Sequence, residues 1–165
     1  MSIRNNNGFT LLEVMIALMI FSIGLLGLAG LQASGMSSNK TADLRSTAII
    51  LAHDMSERIR ANGRGSSTDY DSITASFTPS TPGTNCVTST GCTSQSLVST
   101  WDIFEWKNNI SNTLPGGKGS ISRANATSPF IITVMWDEAR TGVTGEACSG
   151  NSSVDLKCFR LEMMP

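Results

Sequence analysis

Apolar residues crowd the front of the chain, and their spacing changes along it. From Phe9 to Leu31 the sequence is apolar except for Thr10, Glu13, Ser22 and several glycines. A helix over that stretch is about 35 Å long at 1.5 Å per residue, enough to cross a hydrocarbon core of about 30 Å. Further on, Leu44, Ala48, Leu51, Met55 and Ile59 recur at spacings of four, three, four and four, one face of an amphipathic helix. Asp54 and Arg58 form an i,i+4 pair of the favoured polarity. Arg58 and Arg60 suit a helix C-terminus, and Asn62-Gly63 reads as its stop. The pattern predicts one helix from Phe9 to about Asn62, with an apolar, membrane-spanning half over 9–31 and an amphipathic half over 32–62.

The remainder, residues 63–165, reads as one globular domain. Residues 63–96 are irregular and rich in Ser, Thr, Gly and Pro. Ile103, Trp106, Ile110 and Leu114 share a face, so a short helix is expected over 97–114, broken by Pro115-Gly116-Gly117-Lys118-Gly119. Gly119 to Ser122 is a weak strand. Phe130, Ile132, Val134 and Trp136 alternate with Ile131, Thr133 and Met135, a strand apolar on both faces. Phe159, Leu161 and Met163 alternate with Cys158, Arg160 and Glu162, a half-buried strand. The fold class is therefore α+β, a long N-terminal helix packed against a small antiparallel sheet. Trp101, Trp106, Phe130 and Trp136 are expected in its core.

Residues 1–8 are polar and carry one cation, Arg4, which places that end on the cytoplasmic side of a single-pass inner-membrane protein. The apolar run is too long for the core of a secretory signal, and no A-x-A cleavage site follows it. Glu13 stands out, because a carboxylate in such a span costs on the order of 2.5–3.5 kcal/mol on insertion scales for the comparable Asp. Such residues usually face a partner, although one turn from the end of the span a carboxylate also reaches headgroups by snorkelling. A free α-amino group at Phe9 of a neighbouring helix would supply the missing cation.

Composition narrows the functional class. Mean hydropathy is +0.02 and formal net charge −1 over 165 residues, with no Lys/Arg run, so nothing draws the chain to nucleic acid. Cys86, Cys92, Cys148 and Cys158 all lie beyond the span, without metal-site spacing and far from the single histidine, His53. An oxidising compartment favours disulfides. Four cysteines allow three connectivities, and the sequence-local pairs Cys86–Cys92 and Cys148–Cys158 are preferred, each worth roughly 2–3 kcal/mol on the chain-entropy estimate. His53 and Asp54 diverge by about 100° on a helix, poor geometry for an acid–base pair. The glycine run lacks phosphate-loop spacing, and Asp137-Glu138 lacks the alternation of a calcium loop and reads as a solvated turn. Asn109, Asn125 and Asn151 sit in glycosylation sequons of a kind common by chance in Ser/Thr-rich chains. No catalytic set assembles, and neither a cofactor nor a metal is expected.

Gly8-Phe9-Thr10-Leu11-Leu12-Glu13, followed by the apolar span, resembles the class III signal of type IV prepilins and type II secretion pseudopilins. The resemblance implies cleavage after Gly8 by a membrane prepilin peptidase, N-methylation of Phe9, and a role for Glu13 in docking into a filament. The likeness continues through Ser22-Ile23-Gly24-Leu25-Leu26-Gly27-Leu28-Ala29-Gly30-Leu31-Gln32, Asp54-Met55-Ser56-Glu57-Arg58-Ile59-Arg60-Ala61-Asn62 and Leu114-Pro115-Gly116-Gly117-Lys118-Gly119. These segments are similar to the PilV-type minor pilins, the type IV pilus modification proteins.

That branch implies a low-abundance subunit at the pilus tip and cell surface. There it contacts other minor pilins and the major pilin through N-terminal helices, primes assembly and supports a tip adhesin. A type II secretion minor pseudopilin is the alternative, since it shares signal and stalk; a membrane-anchored periplasmic enzyme is the alternative from another class. A DNA-uptake pilin would want a basic stripe.

Overall fold

The computed structural model describes residues 10–63, 69–76, 81–83, 85–88 and 91–164. Five elements follow in order: α1 (Leu11–Ala61), α2 (Gln95–Thr113), β1 (Lys118–Ser122), β2 (Phe130–Trp136) and β3 (Lys157–Met163). The chain divides into two compact units, Met1–Thr41 and Ala42–Pro165, with the division falling inside α1.

In the first unit the described residues are almost wholly α1, and their side chains are exposed throughout. The second unit carries the core. Leu44, Ala48, Leu51, Ala52, Met55 and Ile59 from α1 meet Ile103, Trp106 and Ile110 from α2 and Ile121, Phe130, Ile132 and Val134 from the sheet. The five residues whose spacing marks an amphipathic face are all buried. Trp106 is fully enclosed, and its indole Nε1 donates to the Leu51 carbonyl at 2.8 Å, which ties α2 to α1.

Helix α2 begins two residues before its apolar face does. Ser94 caps it, its hydroxyl accepting from Leu97 N at 3.3 Å, so polar Gln95 and Ser96 form a first turn with no apolar signal. At the other end Leu114 is the extended C-cap, as the residue before a proline prefers. The glycines that follow are required by close approach. A Cβ on Gly117 would lie 2.4 Å from the Ile110 carbonyl oxygen, and one on Gly119 would lie 2.6 Å from the Trp106 ring. The Pro-Gly-Gly-Lys-Gly segment thus lets β1 fold back tightly against α2.

The sheet has order β1-β2-β3 and is antiparallel throughout, with Ile121 opposite Ile132 and Ile132 opposite Leu161. Both faces of β2 are covered, which accounts for its unbroken apolar sequence. Phe130, Ile132, Val134 and Trp136 join the core, while Met135 on the other face sits between Lys118 and Cys158 and is 2% exposed. Its cross-strand neighbours are Lys118, which pairs with Glu146 at 2.6 Å, and Cys158, which is bonded to Cys148.

Residues 69–76, read from the sequence as irregular, close the outer edge of β1. Ile73 exchanges two 2.8 Å backbone hydrogen bonds with Ile121. Asp71 pairs with the Arg123 guanidinium at 2.7 Å, and that guanidinium also stacks 4.6 Å from the Phe130 ring centroid.

Candidate functional site

At the apolar end of α1, Thr10 caps the helix. Its carbonyl accepts from Glu13 N at 3.1 Å and Val14 N at 3.3 Å, and its hydroxyl accepts from Glu13 N at 3.3 Å. Thr10-Leu11-Leu12-Glu13 is thus the Thr-x-x-Glu arrangement of a helix start. Glu13 stands in the first turn, where unpaired N–H groups favour a carboxylate. It is exposed. Gly8 and Phe9, singled out with Glu13 by the sequence, lie outside the described residues.

Beyond Glu13 the helix offers an uninterrupted apolar surface. Its most apolar window has mean hydropathy 2.5, and none of that window is buried. Leu11, Leu26 and Leu31 are 80%, 73% and 73% exposed. Ser22 is the polar exception, and its hydroxyl donates to the Met19 carbonyl at 2.8 Å, so it adds no unpaired donor to the surface. At Gly24, Gly27, Gly30 and Gly35 an added Cβ would meet nothing within 4 Å outside the helix's own adjacent backbone, so no packing contact among the described residues requires glycine there. Apolar area of this extent is stable only under lipid or other apolar helices.

The Asp54–Asn62 segment, picked out by its resemblance, has a structural role. Arg58 gathers three carboxylates: Asp54 at 2.9 Å on its own helix, and Asp102 at 3.2 Å and Glu105 at 2.6 Å on α2. Burial pulls the Arg58 pKa down, but hydrogen bonds to Glu105, Asp54 and Asp102 outweigh it and the net shift is upward. Asp102 also accepts from the Tyr70 hydroxyl at 2.7 Å. Asn62 Nδ2 donates to Tyr70 Oη at 2.9 Å and to the Gln95 carbonyl at 3.0 Å. One polar chain therefore joins the end of α1, residues 69–76 and the start of α2. Burial pushes the Tyr70 pKa up, and the bond to Asp102 adds to the shift. Tyr70 is fully buried, and periodicity could not find it; its only mark in the sequence is that it is the single tyrosine.

A second clasp holds the same segment. Lys107 of α2 donates to the Thr74 carbonyl at 2.6 Å, and burial lowers its pKa to about 8 against a weaker upward pull from Glu146. His53 is exposed and takes no part in either network.

Cys86 is bonded to Cys92 and Cys148 to Cys158. The first bridge sits beside α2, with Cys86 Sγ 3.6 Å from the Leu97 carbonyl. Within the second loop Asp155 accepts from the backbone N–H and hydroxyl of Ser149, which hold its carboxyl below the usual range. Asp137 is not the solvated turn residue its sequence suggests. It is buried, and its carboxylate accepts from Gly142 N at 2.7 Å to close the turn after β2. Among the described residues no cluster of His, Cys, Asp or Glu is arranged to hold a metal ion.

A family model described as type IV pilin Tt1218 matches residues 30–104, and one described as the prokaryotic N-terminal methylation motif matches residues 3–29. The two stretches abut and together run through all of α1 into α2. No curated protein and no solved structure matches the chain.

Proposed function

We propose that this chain, which belongs to the type IV pilins, is a minor subunit of a type IV pilus that is assembled near the filament tip. The family is structural rather than enzymatic, and its members assemble with other pilins in a membrane-associated filament. The observation that carries the reading is the bare apolar face of α1. None of the described residues covers it, so it needs lipid before assembly and neighbouring helices afterwards. The resemblance of several sequence segments to PilV-type minor pilins supports the finer reading as a low-abundance tip subunit.

On this reading the chain sits in the inner membrane with its N-terminus cytoplasmic. The prepilin peptidase cuts between Gly8 and Phe9, Phe9 is methylated, and the subunit leaves the bilayer for the pilus. Glu13 then answers the α-amino group at Phe9 of an adjacent subunit. In surroundings of low dielectric that attraction is strong, and an unpaired partner is penalised. The head domain faces other minor pilins and a tip adhesin.

Quantitative mass spectrometry of sheared filaments, combined with immunogold labelling, tests the proposal. The expected result is a subunit far scarcer than the major pilin, with label at one filament end. Labelling along the whole filament would make it a major pilin. Recovery with a secretion pseudopilus and not with pili would make it a type II secretion pseudopilin.

A further inference from the structure

Helix α2 is apolar on two opposite sides. Nine steps of about 100° end half a turn round a helix. Leu97 therefore stands opposite Trp106, and Trp101 opposite Ile110, both of which face the core. Phe104 completes the outward set, with its ring 5.7 Å from that of Trp101. Leu97 is 37% exposed, the two aromatic residues are half-buried, and none of the three belongs to the core cluster. Trp101, expected in the core from its sequence, thus points away from it. The Cys86–Cys92 bridge pins one end of this surface, with Cys86 Sγ 3.6 Å from the Leu97 carbonyl and Val87 beside it 74% exposed. The outward side of a surface helix is ordinarily polar, whereas aromatic residues mark the centre of an interface.

The charge along its border is one-sided. Glu105 comes four residues after Trp101, about 40° round α2 on the side toward α1. There a single guanidinium, Arg58, faces the carboxylates of Asp54, Asp102 and Glu105, which leaves negative charge in excess. The side chains of Asp54 and Glu105 each stay 38% exposed.

From this juxtaposition we infer that the outward side of α2 docks the head of a different pilin, one that presents an apolar side chain to Leu97 and Trp101 and an arginine or lysine to Glu105 and Asp54. The inference rests on the reading of the chain as a filament subunit. A guanidinium at that border pairs with Glu105 and lies over the Trp101 indole at once, and it offsets the excess carboxylate around Arg58. A second copy meeting α2 with its own α2 would set the same acids against each other. Contact between unlike heads needs no two-fold axis, so both subunits keep one direction in the filament.

The test places a photo-reactive benzophenone amino acid at position 97 of the full chain in cells that make pili. Adducts in sheared pili are then mapped by peptide mass spectrometry. The expected adduct is a head peptide of another pilin that contains Arg or Lys. Glu105→Lys should lower its yield about tenfold, and exchanging the partner's basic residue for glutamate should restore it. Trp101→Ala should lower the yield as well. The rescue separates docking from misfolding, because a head disturbed by loss of the Arg58–Glu105 pair is not repaired by a change in another protein. If the protein is present in sheared pili, any of four results would overturn the inference and leave the subunit reading standing. These are no adduct, an adduct with a second copy, an adduct peptide without a basic residue, or a yield indifferent to Glu105→Lys. Absence of the protein from sheared pili would overturn both.

Discussion

Arg58 is surrounded by more negative charge than it can neutralise, and this makes it sensitive to substitution. Replacing it with alanine leaves Asp54, Asp102 and Glu105 facing one another, with Asp102 buried. The expected cost is about 2–3 kcal/mol, read as a lower denaturation midpoint; lysine should recover only part of it, because one ammonium cannot reproduce the guanidinium fork. Lys107 and Tyr70 make stability depend on pH in opposite ways. The folded lysine loses its proton near pH 8 and the unfolded one near 10.5, so between these values the unfolded chain holds more protons and stability rises with pH. Tyr70 keeps its proton in the fold after an unfolded tyrosine has lost it near pH 10, so beyond that point stability falls. The thermal midpoint should climb from pH 8 to about 10 and then drop. Lys107→Met should flatten the climb, and Tyr70→Phe should soften the drop. At the other end of the chain, Glu13→Ala should leave membrane insertion intact, since it removes a costly charge, but lower the ratio of this protein in sheared pili to that in the membrane. An unchanged ratio would mean that Glu13 only reaches for headgroups.

Elements were legible in the sequence where a period persisted, and less so where a single contact decides the outcome. The buried face of α1 from Leu44 to Ile59 follows directly from its spacing, and β2 follows from seven residues apolar on both faces. The start of α2 is set by the Ser94 cap rather than by hydrophobic period, which is why its first turn escapes a periodicity reading. The Ile73 bridge could not be foreseen, because one apolar residue among Ser, Thr and Asp carries no period; its partner is known only once the sheet exists. The glycine-rich junction reads as a turn in sequence, but its physical demand is the Trp106 ring lying against β1. Gly119→Ala should therefore destabilise the head by about 1–3 kcal/mol through overpacking, measured by chemical denaturation. The two disulfides should differ in effect despite similar loop lengths. Loss of Cys148–Cys158 also loosens the cover over Met135, whereas loss of Cys86–Cys92 frees only the approach to α2. Paired serine variants should show the larger fall in midpoint for the former.

At the scale of the whole molecule, two kinds of surface explain the chain. The head buries its own core and ties it with internal polar clasps, so Asp54 and Arg58 in the Asp54–Asn62 segment serve the fold, while Glu57 and Arg60 form an exposed pair. The apolar half of α1 buries nothing of its own, and its exposed leucines, isoleucines and glycines make sense only with neighbours. The sequence showed that asymmetry plainly, because apolar patterning is additive along a helix; the Arg58–Asp102–Tyr70–Asn62 chain stayed hidden because it joins residues brought together only by folding. In the proposed function, processing turns a membrane helix into a filament helix, so the most direct measurement is the intact mass and N-terminal sequence of this protein recovered from sheared pili. The account predicts a chain that begins at Phe9 and carries a methylated amino group. A chain in the filament that still begins at Met1, or one cut beyond Leu31, would contradict it.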